Sequence, residues 1–258
     1  MNESIITEDQ CSSLRDNGYL AVPDLFSAAE VGAVADLLRP LFATFTDLPG
    51  SAVLDLGSTK GQIGQDVPEI LFPSTLQPEL RQTEVFKRSY AMARQLFGRD
   101  TWFRFDHSIL KPPHCEFETV WHQDRVHKRS RLPENRVNVW IPMAAVTEAE
   151  GCMRYLPGSH KNGLLPHEPV PERRGALRTV GVDEARTVST PLPLGGAALH
   201  LFETVHSAFP NTSDQPRLAW ILQFTRPRTA VPLAGWVHRG LSSARSAGWR
   251  RAQAQAEH

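Results

Sequence analysis

The sequence predicts a mainly β protein whose first part, about residues 1–100, is helical. From Thr101 onward, short β-rich runs alternate with polar turns that carry Gly or Pro, a pattern typical of an antiparallel sandwich or barrel. Before Thr101, apolar residues recur at helical spacing. We therefore expect helices first and an antiparallel core over about 101–230. The predicted core strands are 102–110, 120–122, 137–143, 153–156, 197–201 and 218–224.

The helical part has recognisable start and stop signals. Residues 7–10 and 27–30 each have the spacing of a capping box, in which two side chains satisfy the first free amides of a helix. Gly18 predicts the end of the first helix, and a short strand is expected over 19–22. Apolar residues at helical spacing predict a second helix after the second capping box.

The chain between the second helix and the core is predicted to be a loop followed by a third helix. Residues 46–76 carry four Gly and three Pro with little periodicity, which favours a long loop. Such a loop is either a lid or binding element, or a plain surface excursion. The third helix is expected over 78–96, ended by Gly98.

Composition excludes several classes of function. Lys plus Arg and Asp plus Glu number 28 each, so no net charge attracts nucleic acid or anionic lipid. Three widely separated Cys without a C-x-x-C pair favour a reducing compartment over a disulfide framework. The N-terminus lacks the features of a signal peptide, and no apolar stretch suits a membrane span. We expect one cytoplasmic domain over 1–258, with a basic tail over 231–258 and a small-molecule substrate.

The segment Trp121-His122-Gln123-Asp124 is the main chemical signal. On a strand, residues two apart share a face, so His122 and Asp124 can converge on one ion while Gln123 faces away. Two His and one carboxylate are the ligands of non-haem iron(II) oxygenases. The spacing alone is weak, because His114-Cys115-Glu116 repeats it where no strand is predicted.

Downstream residues supply the rest of the predicted site. His206 is the candidate third ligand, with His200 as a competing histidine that belongs either to the core or to the support of the ligands. Arg217 follows at the head of an apolar strand. Its planar guanidinium matches the distal carboxylate of a dicarboxylic cosubstrate.

The ordered motifs resemble the phytanoyl-CoA dioxygenase family. They are W-H-Q-D, V-N-V-W-I-P-M, E-G-C-M-R-Y-L-P-G-S-H-K, H-S-A-F-P-N-T-S and R-L-A-W. The resemblance implies a double-stranded β-helix (jelly-roll) core with N-terminal helices. It places His122, Asp124 and His206 on iron and Arg217 on 2-oxoglutarate. It also implies cosubstrate-binding positions for Trp140, which is otherwise a core aromatic, and for His107, which lines the same pocket. Relatives often have H-G-S after the last ligand, where this chain has His206-Ser207-Ala208, so the hydroxyl that helps hold the distal carboxylate is either displaced to Ser207 or absent.

The resemblance implies an Fe(II)- and 2-oxoglutarate-dependent dioxygenase. Such an enzyme uses O2 to oxidise a C–H bond and releases succinate and CO2. Asp124 fills a position that related halogenases leave vacant, which favours hydroxylation, desaturation or another oxygen-driven oxidation. Two alternatives are a cupin-like isomerase or hydrolase that uses Zn or Mn, and a non-catalytic metal-binding protein.

Overall fold

The structure, a computed structural model, describes residues 4–57, 66–127, 134–171, 173 and 176–227. The predicted basic tail, 231–258, lies outside these residues. The helices are α1 (Glu8–Asn17), α2 (Ala28–Ala43), α3 (Pro73–Leu76) and α4 (Glu84–Phe97). The strands are β1 (Tyr19–Val22), β2 (Val53–Asp55), β3 (Pro68–Leu71), β4 (Trp102–Lys111), β5 (Thr119–His122), β6 (Glu134–Pro142), β7 (Met153–Tyr155), β8 (His167–Pro169), β9 (Leu177–Thr179), β10 (Val188–Thr190), β11 (Ala197–Leu201), β12 (His206–Ala208) and β13 (Arg217–Pro227).

Both predicted capping boxes are confirmed. The Thr7 and Ser27 side chains each accept from the main-chain amide three residues on, and the Gln10 and Glu30 side chains accept from the amides of the capping residues. Gly18 ends α1 in a left-handed conformation with φ of +81°, which glycine adopts without steric cost.

Two predictions for the region before the core were wrong in detail. The expected loop 46–76 contains β2 and β3, which pair with each other, and β3 also pairs with β4. Strands of three or four residues leave too little periodicity to recognise. The third helix begins at Glu84 with Thr83 as its cap, because Pro78–Gln82 forms a separate 3-10 turn. Its predicted end at Gly98 is confirmed.

The core consists of two antiparallel sheets that face each other. The large sheet has seven strands in the order β1-β11-β6-β13-β4-β3-β2, and the small sheet has four in the order β10-β7-β12-β5. Strands β8 and β9 form a separate hairpin. Tyr19 of the large sheet stacks on Tyr155 of the small sheet, with ring centroids 4.7 Å apart. The predicted strands all lie within this core, and the mainly β class with N-terminal helices is confirmed.

The large sheet is buried differently on its two faces. The helices cover its outer face and form the main hydrophobic core with residues such as Leu38, Phe86 and Trp220. Its inner face meets the small sheet through a second cluster that includes Trp140, Tyr155 and Ile221. No helix in the described ranges has the length and apolar character needed to cross a membrane.

Candidate active site

Three predicted metal ligands come together between the sheets. His122 ends β5, and His206 begins β12 directly opposite it in the strand register. Asp124 lies just beyond β5, in a 3-10 turn over Asp124–His127. Its Oδ1 is 3.8 Å from His122 Nε2 and 3.9 Å from His206 Nε2. The prediction that His122 and Asp124 share a strand face was wrong, because the strand stops at His122 and a turn presents the carboxylate instead.

The two histidines are oriented by main-chain carbonyls. His122 Nδ1 lies 2.8 Å from the Val120 carbonyl, and His206 Nδ1 lies 2.9 Å from that of Thr204. Each Nδ1–H therefore donates to its carbonyl and leaves Nε2 unprotonated towards Asp124. Burial lowers the pKa of both imidazoles to about 4. Both rings are thus neutral near pH 7, the state that binds a metal ion.

The Asp124 carboxylate is held from the large sheet. Asn138 Nδ2 donates to Oδ2, and His200 Nε2 lies 3.2 Å from the same oxygen. Gln223 Nε2 donates to Asn138 Oδ1 (3.0 Å), which fixes the amide. Burial by itself raises the pKa of Asp124, but the imidazoles of His206 and His200 outweigh it and hold that pKa well below its usual range.

This donor set fits ferrous iron. One atom from each of His122, Asp124 and His206 lies within 4.8 Å of the others, close enough to hold a single ion. Two neutral imidazoles and one carboxylate match non-haem iron sites that keep coordination positions open. His200, the competing histidine, does not belong to this set; it supports the carboxylate.

Arg217 is a buried cation on the inner side of β13, the side that also carries Ile221. It is only 4% exposed, and its guanidinium carbon lies 5.6 Å from the centre of the Trp140 ring. Its Nε and Nη1 are buried without a hydrogen-bond partner in the described part of the chain. Burial lowers the pKa of Arg217 only to about 10, so it stays charged at neutral pH. An unpaired buried charge is costly, so this geometry fits an anionic ligand.

Lys111, which the sequence analysis did not single out, pairs with Arg217 in the register of β4 and β13. It is fully buried, and its Nζ donates to the Phe209 carbonyl (2.6 Å). Burial, followed by the neighbouring Arg217, holds the pKa of Lys111 well below its usual range. Arg217, which keeps its charge, is therefore the cation that an anionic ligand meets on this side of the sheet.

Ser207 is not placed as expected. Its hydroxyl accepts a hydrogen bond from Arg154 Nε (2.9 Å), and its register partner is Arg154, whereas His206 pairs with Tyr155. Because side chains alternate along a strand, Ser207 lies on the face of β12 opposite His206. Ala208 occupies the inward position and offers no hydroxyl.

His107 lies on the inner face of β4, in one row with Ile221 of β13 and Trp140 of β6. Its Nδ1 is 2.5 Å from Oε1 of Glu69, a residue of β3 that is 7% exposed. Glu69 could not be recognised from the sequence because β3 lies in the segment predicted as a loop.

The second H-x-E copy is remote from this centre. His114 is exposed and lies 3.0 Å from Asp214. It lines a cavity of about 630 Å³ together with Pro112, Phe117 and Arg173. None of the three candidate metal ligands lines that cavity. Arg173 packs over the Phe117 ring at 4.0 Å and belongs to this cavity wall.

Comparisons with known proteins agree with this geometry. The model of the family "Phytanoyl-CoA dioxygenase (PhyH)" matches residues 14–219. EvdO2 from Micromonospora carbonacea var. aurantiaca, solved with 2-oxoglutarate, is 30% identical with a TM-score of 0.74, over 88% of this chain and 94% of that one. The similar structures have a jelly-roll fold, which confirms the predicted core.

Curated relatives match over shorter segments. Phytanoyl-CoA dioxygenase domain-containing protein 1 of Danio rerio is 30% identical over 48% of this chain and 44% of the relative. Ectoine dioxygenase of Sphingopyxis alaskensis is 25% identical over 63% of this chain and 53% of the relative. The chain thus spans about half the length of these relatives. The family match over most of the chain shows that it belongs to the phytanoyl-CoA dioxygenase family of Fe(II)- and 2-oxoglutarate-dependent oxygenases.

Proposed function

We propose that this chain hydroxylates an unactivated C–H bond of a small molecule, a secondary metabolite or a related intermediate. The observation that carries the proposal is that a His-Asp-His cluster and a buried guanidinium both lie between the two sheets, and that two nitrogens of this guanidinium have no partner among the described residues. A metal site alone needs no such cation. A dicarboxylic cosubstrate that binds the metal at one end and Arg217 at the other needs both.

Each residue has a distinct part in this proposal. His122, Asp124 and His206 hold the metal, and Asn138 and His200 keep the carboxylate in one orientation. Arg217 binds the distal carboxylate of 2-oxoglutarate, and the Trp140 ring beside it walls the cavity. When bound, iron and 2-oxoglutarate supply the oxidising chemistry, with succinate and CO2 as products. The enclosing sheets exclude bulk water and position the reacting C–H bond.

Asp124 favours hydroxylation over halogenation. A halide needs a coordination position, and here a carboxylate held by two neighbours occupies it. The named activity of one relative, ectoine dioxygenase, supports a small soluble substrate.

Succinate formation tests the proposal. Wild-type protein with Fe(II), 2-oxoglutarate and O2 should convert 2-oxoglutarate to succinate, and a substrate should raise the rate. Asp124→Ala should abolish turnover because it removes a ligand. His114→Ala is the matched control, since it disrupts the exposed copy of the motif, and it should keep full activity.

Other outcomes separate the alternative functions. Iron-dependent turnover that survives Asp124→Ala would contradict the proposed centre. Metal-dependent chemistry without 2-oxoglutarate consumption would favour an isomerase or hydrolase. Metal binding without consumption across a broad substrate panel would favour a non-catalytic protein.

A further inference from the structure

A buried tyrosine lies behind the candidate metal ligands. Tyr155 ends β7 and pairs with His206 in the register of the small sheet. It is fully buried, and its ring stacks on that of Tyr19 with 4.7 Å between centroids. Its ring centroid is also 5.5 Å from that of His200, the histidine that supports the Asp124 carboxylate. Tyr155 is thus a neighbour of one candidate ligand and of the support of another.

Within the described ranges, the Tyr155 hydroxyl has one hydrogen-bond partner, His200 Nδ1, at 3.3 Å. A phenylalanine ring fills the same space and stacks in the same way, so packing alone does not need the oxygen. A buried hydroxyl also loses its hydration, and only a hydrogen bond offsets that loss. The bond to His200 is therefore what the hydroxyl contributes.

The direction of these hydrogen bonds follows from the carboxylate. Asp124 is ionised at neutral pH and only accepts, so His200 Nε2, 3.2 Å from Oδ2, carries the hydrogen. Asn138 Nδ2, 3.2 Å from the same nitrogen, donates to Oδ2 beside it. His200 Nδ1 is then an acceptor, and the Tyr155 hydroxyl is the donor that it meets. Two hydrogen bonds in series thus connect the phenol to the carboxylate.

We infer that Tyr155 is a positioning residue of the metal centre, which acts on Asp124 through His200. The inference rests on the proposed metal centre. Asp124 lies in a turn after β5 and not within the strand, so side-chain contacts set the direction of its carboxylate. The phenol holds the far edge of the imidazole and prevents the ring from turning. Donation to Nδ1 also polarises the ring and strengthens the hydrogen bond from Nε2 to Oδ2.

Metal affinity is the first test. The probe is Mn(II), and its Kd is measured by competition with a chelator. Tyr155→Phe keeps the ring and loses only the oxygen, and it should raise this Kd by about five-fold, the net effect of one hydrogen bond. Tyr19→Phe is the matched control, because it removes the hydroxyl from the other ring of the same stack, and it should leave the Kd unchanged. An equal rise in Tyr19→Phe would assign the effect to the stack and overturn the inference.

A double-mutant cycle separates positioning from packing. His200→Phe removes the imidazole between the phenol and the carboxylate, and it should raise the Kd of Mn(II) by roughly 10–100-fold. In that background Tyr155→Phe should cause no further loss, because the phenol no longer has an imidazole to hold. A purely structural tyrosine would cost the same affinity with or without His200.

The tautomer of His200 is an independent readout that needs no turnover. The probe is Zn(II)-loaded protein with isotope-labelled histidine nitrogens, since Zn(II) is diamagnetic and permits nuclear magnetic resonance. His200→Phe identifies the signals of His200 by their loss. Wild type should carry the hydrogen on Nε2 and none on Nδ1. Tyr155→Phe should shift the Nδ1 resonance, because this nitrogen loses its hydrogen bond.

The outcomes separate this inference from the proposed function. An Mn(II) Kd that is unchanged in Tyr155→Phe, while Asp124→Ala loses binding, would overturn the inference and leave the proposed metal centre intact. An equal loss on Tyr155→Phe with and without His200 would overturn it too, and so would a His200 hydrogen on Nδ1. Wild-type protein without Mn(II) binding that depends on Asp124 would instead refute the metal centre, and the inference with it.

Discussion

Arg217 is the residue whose environment most needs a ligand. It is buried, charged at neutral pH, and two of its nitrogens have no acceptor within the described residues. Its neighbour in the register, Lys111, donates to the main-chain carbonyls of Ala208 and Phe209. A carboxylate placed here gains charge-assisted hydrogen bonds that are already desolvated and oriented.

Arg217→Met should therefore raise the Kd of 2-oxoglutarate by about 100-fold or more, the loss of two charge-assisted hydrogen bonds. Titration of the Fe(II)-loaded protein with 2-oxoglutarate under anaerobic conditions measures this Kd. Arg178→Met is the control, because Arg178 is half-exposed and pairs with Glu168 at the surface. 2-Oxobutyrate, which lacks the distal carboxylate, should bind wild type and Arg217→Met equally. Equal loss of 2-oxobutyrate binding would contradict the assigned contact.

Asn138 is predicted to position the Asp124 carboxylate. It donates to Asp124 Oδ2 and is itself fixed by Gln223. Removal of such a supporting group weakens metal binding by roughly 10–100-fold. We expect that loss in Asn138→Ala, measured by competition with a metal chelator. We expect none in Asn17→Ala, whose side-chain amide donates to the Ser13 hydroxyl on α1. Unchanged affinity in Asn138→Ala would show that the turn alone orients Asp124.

The site residues that could be predicted from the sequence are those that lie in short, recognisable motifs. His122, Asp124 and His206 were predicted and come together in the structure, and Arg217 was predicted and lies buried on the inner side of β13. Asn138, Lys111 and Glu69 were not singled out, because only the register of the strands shows that they face the inner side of the large sheet. The expectation for Ser207 was wrong for the same reason, since its position in β12 directs the hydroxyl to the outer face.

At the scale of elements, a buried carboxylate joins α3, β4 and β13. Asp106 accepts from the Ser74 amide (2.9 Å), the Ser74 hydroxyl (3.1 Å) and Trp220 Nε1 (3.0 Å). Burial raises the pKa of Asp106, which favours its neutral form. This network fixes β4 from its outer face, opposite the side that carries His107.

Asp106→Ala should lower the free energy of unfolding by about 3 kcal/mol, because buried donors lose their acceptor. Asp106→Asn is the matched control. The asparagine side chain is neutral and keeps an acceptor oxygen, so we expect the free energy of unfolding to fall by only about 1 kcal/mol. Denaturant unfolding measures both. Similar losses in the two variants would show that the hydrogen bonds to Asp106 do not provide the stability.

The elements themselves were predicted unevenly. Helices with capping boxes and strands of five or more residues were found, because caps and periodicity are local properties. The short strands β2 and β3 were missed, as they are stabilised by pairing, β2 with β3 and β3 with β4, rather than by their own sequence. The start of α4 was misplaced because Pro78 and the following residues favour a turn as well as a helix.

At the scale of the molecule, the metal centre connects the two sheets. His122 and His206 belong to the small sheet, while Asn138 and His200 of the large sheet hold Asp124. A ligand that binds only the folded state stabilises it by about 2.7 kcal/mol at 100 times its Kd. The metal should therefore stabilise the whole core and not one strand.

We expect Mn(II), a stand-in that resists oxidation, to raise the Tm by roughly 5–10 °C at that excess. Thermal unfolding followed by circular dichroism measures the shift. Asp124→Ala and His206→Ala should each lose most of it, whereas His114→Ala should keep it. The same shift in Asp124→Ala would mean that Mn(II) binds elsewhere.

The inner side of β4 has an evolutionary consequence. Phe105 and Ile109 are half-buried on this side, and neither residue belongs to the candidate metal ligands or supplies the main-chain carbonyls that orient the two imidazoles. Mutation can therefore change which molecules are accepted while the oxidising machinery is conserved. Related proteins that act on different compounds should therefore differ at these positions of β4. The strands that carry the candidate metal ligands should stay nearly the same in all of them.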